Sequence, residues 1–183
     1  MPIGLEFAVL PFFCQLCSVV LHLIIYIAMK STRQNLGMEL QEQLSPHFKL
    51  SEFVVSGVAL KHRIDNMPQD PEVVGNLRRL AQNVLEPLRR RFGVVRISSG
   101  YRCPRLNEIV RGSSSSQHLR GEAADIHVSC EEVGMKMFRF ICGHTDFDQL
   151  LFEHAMNNGC CWLHVSYRSG RNRHDAHPYY PAR

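Results

Sequence analysis

The chain has 183 residues, 45% apolar and 21% charged, with a net charge of +4 and a pI of about 8.8. This excludes a disordered or fibrous chain and allows one domain with a real core. The mild positive charge is compatible with a polyanion but does not demand one. The densest basic run, Arg89-Arg90-Arg91, falls where a helix ends and cations suit its C-terminal dipole, so no nucleic-acid partner is expected and the chain is read as a monomer.

In chain order, residues 7–29 (FAVLPFFCQLCSVVLHLIIYIAM) carry no formal charge. The run is long enough to span a bilayer and too long for an ordinary signal-peptide core. Lys30 and Arg33 follow it and no Lys or Arg precedes it, which would leave the downstream domain in the cytoplasm. Three readings stay open for residues 1–37: a membrane anchor, an atypical secretion signal, or an extension ahead of a true start at Met29 or Met38. With the segment the protein is membrane-attached or in the cell envelope. Without it the protein is made in the cytoplasm and must be released to act outside.

Ser51 is a candidate N-cap for a short amphipathic helix over 52–61, and residues 63–71 read as a loop. The strongest helix is predicted over 71–92. Val73, Val74, Leu77, Leu80, Ala81, Val84, Leu85 and Leu88 form one apolar stripe, Pro87 is expected to kink it, and Gly93 to stop it. A short β-rich run follows at 94–98, then a loop, a helix at 104–111 and a serine-rich turn. A strand is predicted at 122–128 and a helix at 131–142. Strands at 147–153 and 161–167 flank Asn157-Asn158-Gly159, which predicts an antiparallel hairpin. Residues 173–183 read as a basic, solvated tail. The fold class is therefore α+β, a small, mostly antiparallel sheet with flanking helices and one open face. The seven cysteines show no zinc-finger pairing and are read mostly as small buried hydrophobes with free thiols.

His118, Asp125 and His164 are the candidate site. A catalytic zinc takes three N and O ligands and keeps a fourth position for water. Gly121 permits a tight turn between His118 and Asp125, and Ala123 and Ala124 leave room beside it. In 161–167, Leu163 and Val165 share the buried face, so His164 points to the open one. From the residues alone, a metal site and an ordinary hydrogen-bonded histidine both remain open.

SSQHLRGEAADI has the form Ser-x-His-x-x-Gly-x-Ala-x-Asp across Ser116, His118, Gly121, Ala123 and Asp125. With ISSGYRCPRLN upstream and WLHVSY downstream, the chain resembles the zinc D-Ala-D-Ala carboxypeptidase family of metallopeptidases, and more narrowly its small single-domain members from bacteria and phages. The resemblance runs from about Leu44 to Asn172 and implies the zinc fold shared with hedgehog domains and D,D-dipeptidases. It implies one zinc per chain, held by His118, Asp125 and His164. Many relatives place an acid three positions before the last ligand. Here that position is Cys161, and Glu153 takes the acid/base role instead, ahead of Glu122 and Asp148, which fit less well. Arg102 is similar to the family arginine near the substrate and is expected to stabilise an oxyanion or clamp a carboxylate. Ser116, Gln117, Tyr101 and Trp162 are candidate substrate contacts, and His127 shares the Asp125 face. The resemblance implies hydrolysis of peptidoglycan stem peptides, at D-Ala-D-Ala or at L-Ala–D-Glu. The alternative is a catalytically inactive zinc-binding module that recognises the wall or serves a structural role.

Overall fold

The computed structural model describes residues 24–26, 40–154 and 160–181. The chain divides into two units, Met1–Leu40 and Gln41–Arg183. Apart from 24–26, which are helical, the apolar stretch 7–29 lies outside the described residues. No described helix is long and apolar enough to cross a membrane.

The described part of the second unit is α+β, with a two-stranded antiparallel sheet, a five-stranded mixed sheet and six α-helices. It opens on a hairpin, β1 (Gln43–Ser45) and β2 (Phe48–Lys49), which buries Leu44 and Phe48. The single helix expected over 52–61 is two: α1 (Ser51–Val54) and α2 (Gly57–Lys61). Ser56 divides them. Its backbone is extended and its hydroxyl accepts from the Ala59 N–H, so it caps the second helix and cannot continue the first.

The long helix starts where Asp70 accepts from the Glu72 N–H and Pro71 takes the first position. It runs as α3 (Pro71–Leu80), a π-helical turn (Ala81–Leu85) and α4 (Glu86–Phe92). Pro87 explains the interruption. It has no N–H for an i→i−4 bond and its ring crowds the preceding turn. The widened turn, closed by Glu86 N–H to the Ala81 carbonyl, accommodates both. Leu77, Leu80, Ala81, Val84, Leu85 and Leu88 are fully buried, while Val73 and Val74 at the start of the stripe are half-buried.

The main sheet has the order β3 (Ile97–Ser99), β4 (Ala123–His127), β6 (Cys161–Ser166), β5 (Gln149–His154) and β7 (Asp175–Pro181). All neighbours are antiparallel except β5 and β7. The Asn157-Asn158-Gly159 turn lies outside the described residues, but the strands on either side of it pair antiparallel as expected. Helix α5 (Pro104–Ile109) precedes the serine-rich turn, and α6 (Glu131–His144) packs on β5 and β6. Alternation sorts the side chains. Ala124, Ile126, Leu150, Phe152, Leu163 and Val165 are completely buried, with Met137, Phe138 and Ile141 of α6 contributing to the core. The other set, Asp125, His164, Leu151, Glu153 and Trp162, lines a cleft.

Two expectations are corrected. The described part of the 173–183 segment is not a free solvated tail, because Asp175–Pro181 adds a parallel edge strand to β5. The five described cysteines are not mostly buried: Cys130, Cys142 and Cys160 are exposed, Cys103 and Cys161 half-buried, and the described residues hold no disulfide. Their positions at element ends, rather than on the apolar stripes, put them at the surface.

Asp148 explains the added strand. Its carboxylate is completely buried and accepts from Arg173 Nε (2.9 Å), Arg173 Nη2 (2.7 Å) and Gln117 Nε2 (3.0 Å). Burial pushes its pKa up, but the Arg173 hydrogen bonds and charge and the Gln117 amide outweigh this, so the pKa is lowered. A lowered pKa gives stability that is fully present above the unfolded value, about 3.9, and is lost as the pH falls through the folded value. Asp148→Asn is expected to cost about 1.5–3 kcal/mol at pH 7, because the buried carboxylate's charge-assisted hydrogen bonds from Arg173 are lost, while the half-exposed Arg173 can turn to water. It is also expected to flatten the acid limb of stability. Urea midpoints measured between about pH 3 and 7 check both effects.

Candidate metal centre

His118 lies on a 3₁₀ turn, Gln117–Arg120, that ends at Gly121 with φ of 68°. A side chain at Gly121 would be strained there, and its Cβ would sit 2.5 Å from the Val73 carbonyl, so glycine lets the turn seat against α3. His118 is 2% exposed. Its Nδ1–H donates to the Gly100 carbonyl at 2.6 Å, which leaves the Nε2 lone pair facing the sheet. Gly100 is itself required for close approach, since a Cβ there would lie 2.5 Å from the Phe53 carbonyl. The register of β4 and β6 pairs Asp125 directly with His164 and sets both side chains on the cleft face.

The three groups converge. His164 Nδ1 is 2.9 Å from Asp125 Oδ1, and His118 Nε2 is 3.3 Å from each of them. A tetrahedral zinc with bonds of 2.0–2.1 Å separates its ligand atoms by about 3.3 Å. Two imidazole nitrogens and one carboxylate oxygen at this spacing therefore fit the ion, and they are the only such group among the described residues. Asp125 Oδ2 accepts from Arg102 Nη2 at 2.8 Å, which fixes the carboxylate's orientation. Burial works against ionisation of Asp125, but the charges and hydrogen bonds of His118 and His164 hold its pKa far below the usual carboxylate range.

The cleft, about 780 Å³, is lined by this triad and by Tyr101, Arg102, Ser116, Gln117, Glu153 and Trp162. Glu153 is cross-strand from Trp162 and two residues along from Leu151, the partner of His164, so it stands beside the triad on the same face. Its carboxylate accepts a hydrogen bond from the Trp162 indole. Burial, then repulsion from Asp125, raise its pKa above the ordinary value, against the opposing pulls of His164, Trp162 and Arg102. Cys161 is one step off the His164 alternation. It lies opposite His154 on the α6 side, so position 161 turns away from the cleft.

A family model described as peptidase M15 matches residues 46–166. The chain belongs to the peptidase M15 family. No curated protein matches the sequence. The family is of the zinc D-Ala-D-Ala carboxypeptidase type, and membership makes this a metallopeptidase domain acting on peptidoglycan at family level.

Within this M15 domain the remaining candidates divide. Arg102 lines the cleft and is anchored twice, by Asp125 and through its Nε to Ser99 Oγ at 2.9 Å. Ser116 is half-buried on the cleft wall. Gln117 lines the cleft, but its amide N–H is engaged by Asp148. Tyr101 is 9% exposed and packs as part of the core edge. His127 is exposed beyond the triad, opposite Trp162. Glu122 pairs with Arg120 at 2.9 Å and Asp148 with Arg173, so the two alternative acids are occupied by arginines. Sequence reading did not find the Gly100 carbonyl behind His118, the Ser99 anchor of Arg102, or Arg168 on the cleft wall. Only the glycine in SSGYRC gave a signal, since a glycine after a strand marks a close backbone approach.

Proposed function

We propose that the chain is a zinc-dependent peptidase that hydrolyses peptidoglycan stem peptides, as a D-Ala-D-Ala carboxypeptidase or an L-Ala–D-Glu endopeptidase. The observation that carries this reading is a half-buried carboxylate of raised pKa, Glu153, on the same cleft face as a His-Asp-His triad of zinc-ligand spacing. His118, Asp125 and His164 would hold the zinc, which would supply a Lewis acid and lower the pKa of a bound water to about 7.

The chain's own groups supply the rest. Glu153 takes a proton from the attacking water and later delivers it to the departing amine. A raised carboxylate pKa suits both halves of that exchange. The Trp162 N–H fixes the direction in which that carboxylate faces. Arg102 uses two of its five N–H donors on Ser99 and Asp125, and the remainder are available to a developing oxyanion or a peptide carboxylate. Ser116 offers a hydroxyl at the wall. The second reading is an inactive zinc-binding module, motivated by Cys161 at the position where many relatives carry an acid; Cys161 alternates away from the cleft face that Glu153 occupies.

The test is mass spectrometry of defined muropeptides digested by the zinc-loaded full chain. Loss of one terminal alanine, or scission between L-Ala and D-Glu, is expected and should vanish with chelator. Unchanged muropeptides across the whole set would overturn the proposal.

A further inference from the structure

The floor of the cleft is laid out along β6. Trp162 and His164 alternate onto the cleft face; Ser166, next in that alternation, is completely buried against Gln149, and Arg168 two residues further lines the same cavity. The ladder carries on past the end of the strand, since Tyr167 N–H donates to the Glu122 carbonyl at 2.8 Å. Arg168 therefore lies four residues beyond His164, roughly 13 Å along an extended chain, on the side away from Trp162 and Glu153.

Its bonding state sets it apart from its neighbours. Arg102 is anchored on Asp125, Arg173 on Asp148, and Arg120 on Glu122. Arg168 Nε is buried without a hydrogen-bond partner, and its nearest carboxylate oxygen, on Glu122, is 3.9 Å away. Its side chain keeps 29% of its surface open. Its Nε lies inside, on the Glu122 side, while the terminal nitrogens make no hydrogen bond among the described residues and the side chain lines the cleft, which suits them to a carboxylate of a bound ligand.

We infer that Arg168 is a specificity-determining residue that binds a carboxylate on the half of the substrate that keeps the scissile carbonyl. This rests on the peptidase reading. Glu153 protonates the departing amine, so the leaving half lies toward Trp162 and the retained half toward Ser166 and Arg168. At this distance Arg168 meets a group two or three residues ahead of the cut. The preferred substrate is then a stem peptide whose retained side carries an anionic side chain there, rather than its amidated form.

The test uses the zinc-loaded full chain and two N-acetylated stem peptides ending in D-Ala-D-Ala. They are identical except that the third residue's side chain ends in a carboxylate or in the corresponding carboxamide. The wild type should favour the acid by roughly 10- to 100-fold in kcat/KM, mostly through KM, as expected for a charge-assisted contact. Arg168→Ala should bring the two peptides to within about threefold of each other. Arg168→Lys, which keeps the charge but not the fork, should restore part of the preference. Equal rates on both peptides in the wild type, or a preference that survives in Arg168→Ala, would overturn the inference and leave the peptidase reading standing. Cleavage of neither peptide would overturn both for this bond.

Discussion

Glu153→Gln is expected to keep its metal and lose turnover, with kcat falling by roughly 10²- to 10⁴-fold, the range for removal of a positioned general base. The substitution is close to isosteric, and the glutamine carbonyl can still accept from Trp162, so the cleft keeps its shape. What is lost is a group that can hold a proton. Burial and the Asp125 charge raise the Glu153 pKa toward the range in which a carboxylate serves as base and then as acid. Glu153 is outside the triad, so zinc content should match the wild type. Single-turnover hydrolysis measured alongside metal content separates the cases. A variant that holds zinc and cleaves within about threefold of the wild type would remove Glu153 from the chemistry. A wild type that is equally inert would point to the wall-recognition module.

The second large effect is expected at the ligands. His118→Ala, Asp125→Ala and His164→Ala should each weaken zinc binding by at least about 10³-fold, beyond the 10- to 100-fold typical for loss of a partner behind a ligand. Hydrolysis at limiting zinc should disappear with it. The three are not equivalent for folding. His118 is almost fully buried and its removal opens a cavity and orphans the Gly100 carbonyl, whereas His164 is half-buried at the cleft surface. His164→Ala is therefore the cleaner probe. Zinc at about 100 times its Kd adds about 2.7 kcal/mol to the folded state. That should appear as a rise in Tm for the wild type and be absent in His164→Ala. A Tm that responds equally in both would place the metal elsewhere.

The triad was legible because it is written in residue types and in the alternation of two strands. Leu163 and Val165 demand burial, which turns His164 to the open face, and Asp125 sits in a strand of the same logic. The register that pairs them directly could not be read, since it is fixed by contacts between distant strands. The long helix was legible from its stripe, but not the π-turn, because Pro87 predicts a disturbance without saying how the chain absorbs it. Strands of three and two residues in the β1–β2 hairpin are too short for any period to show. The strand Asp175–Pro181 was hidden by its two prolines, which are tolerated because it is an edge. Its anchor, the Asp148–Arg173 pair, joins residues 25 apart that sequence pattern does not connect.

Whether His118, Asp125 and His164 close on one divalent cation is tested by zinc content, measured by mass spectrometry after dialysis of the full chain against zinc-containing and then zinc-free buffer, with Asp125→Ala in parallel. Close to one zinc per wild-type chain and essentially none in the variant is the expected result. A wild type that emerges without zinc, or a variant that retains as much as the wild type, would contradict it.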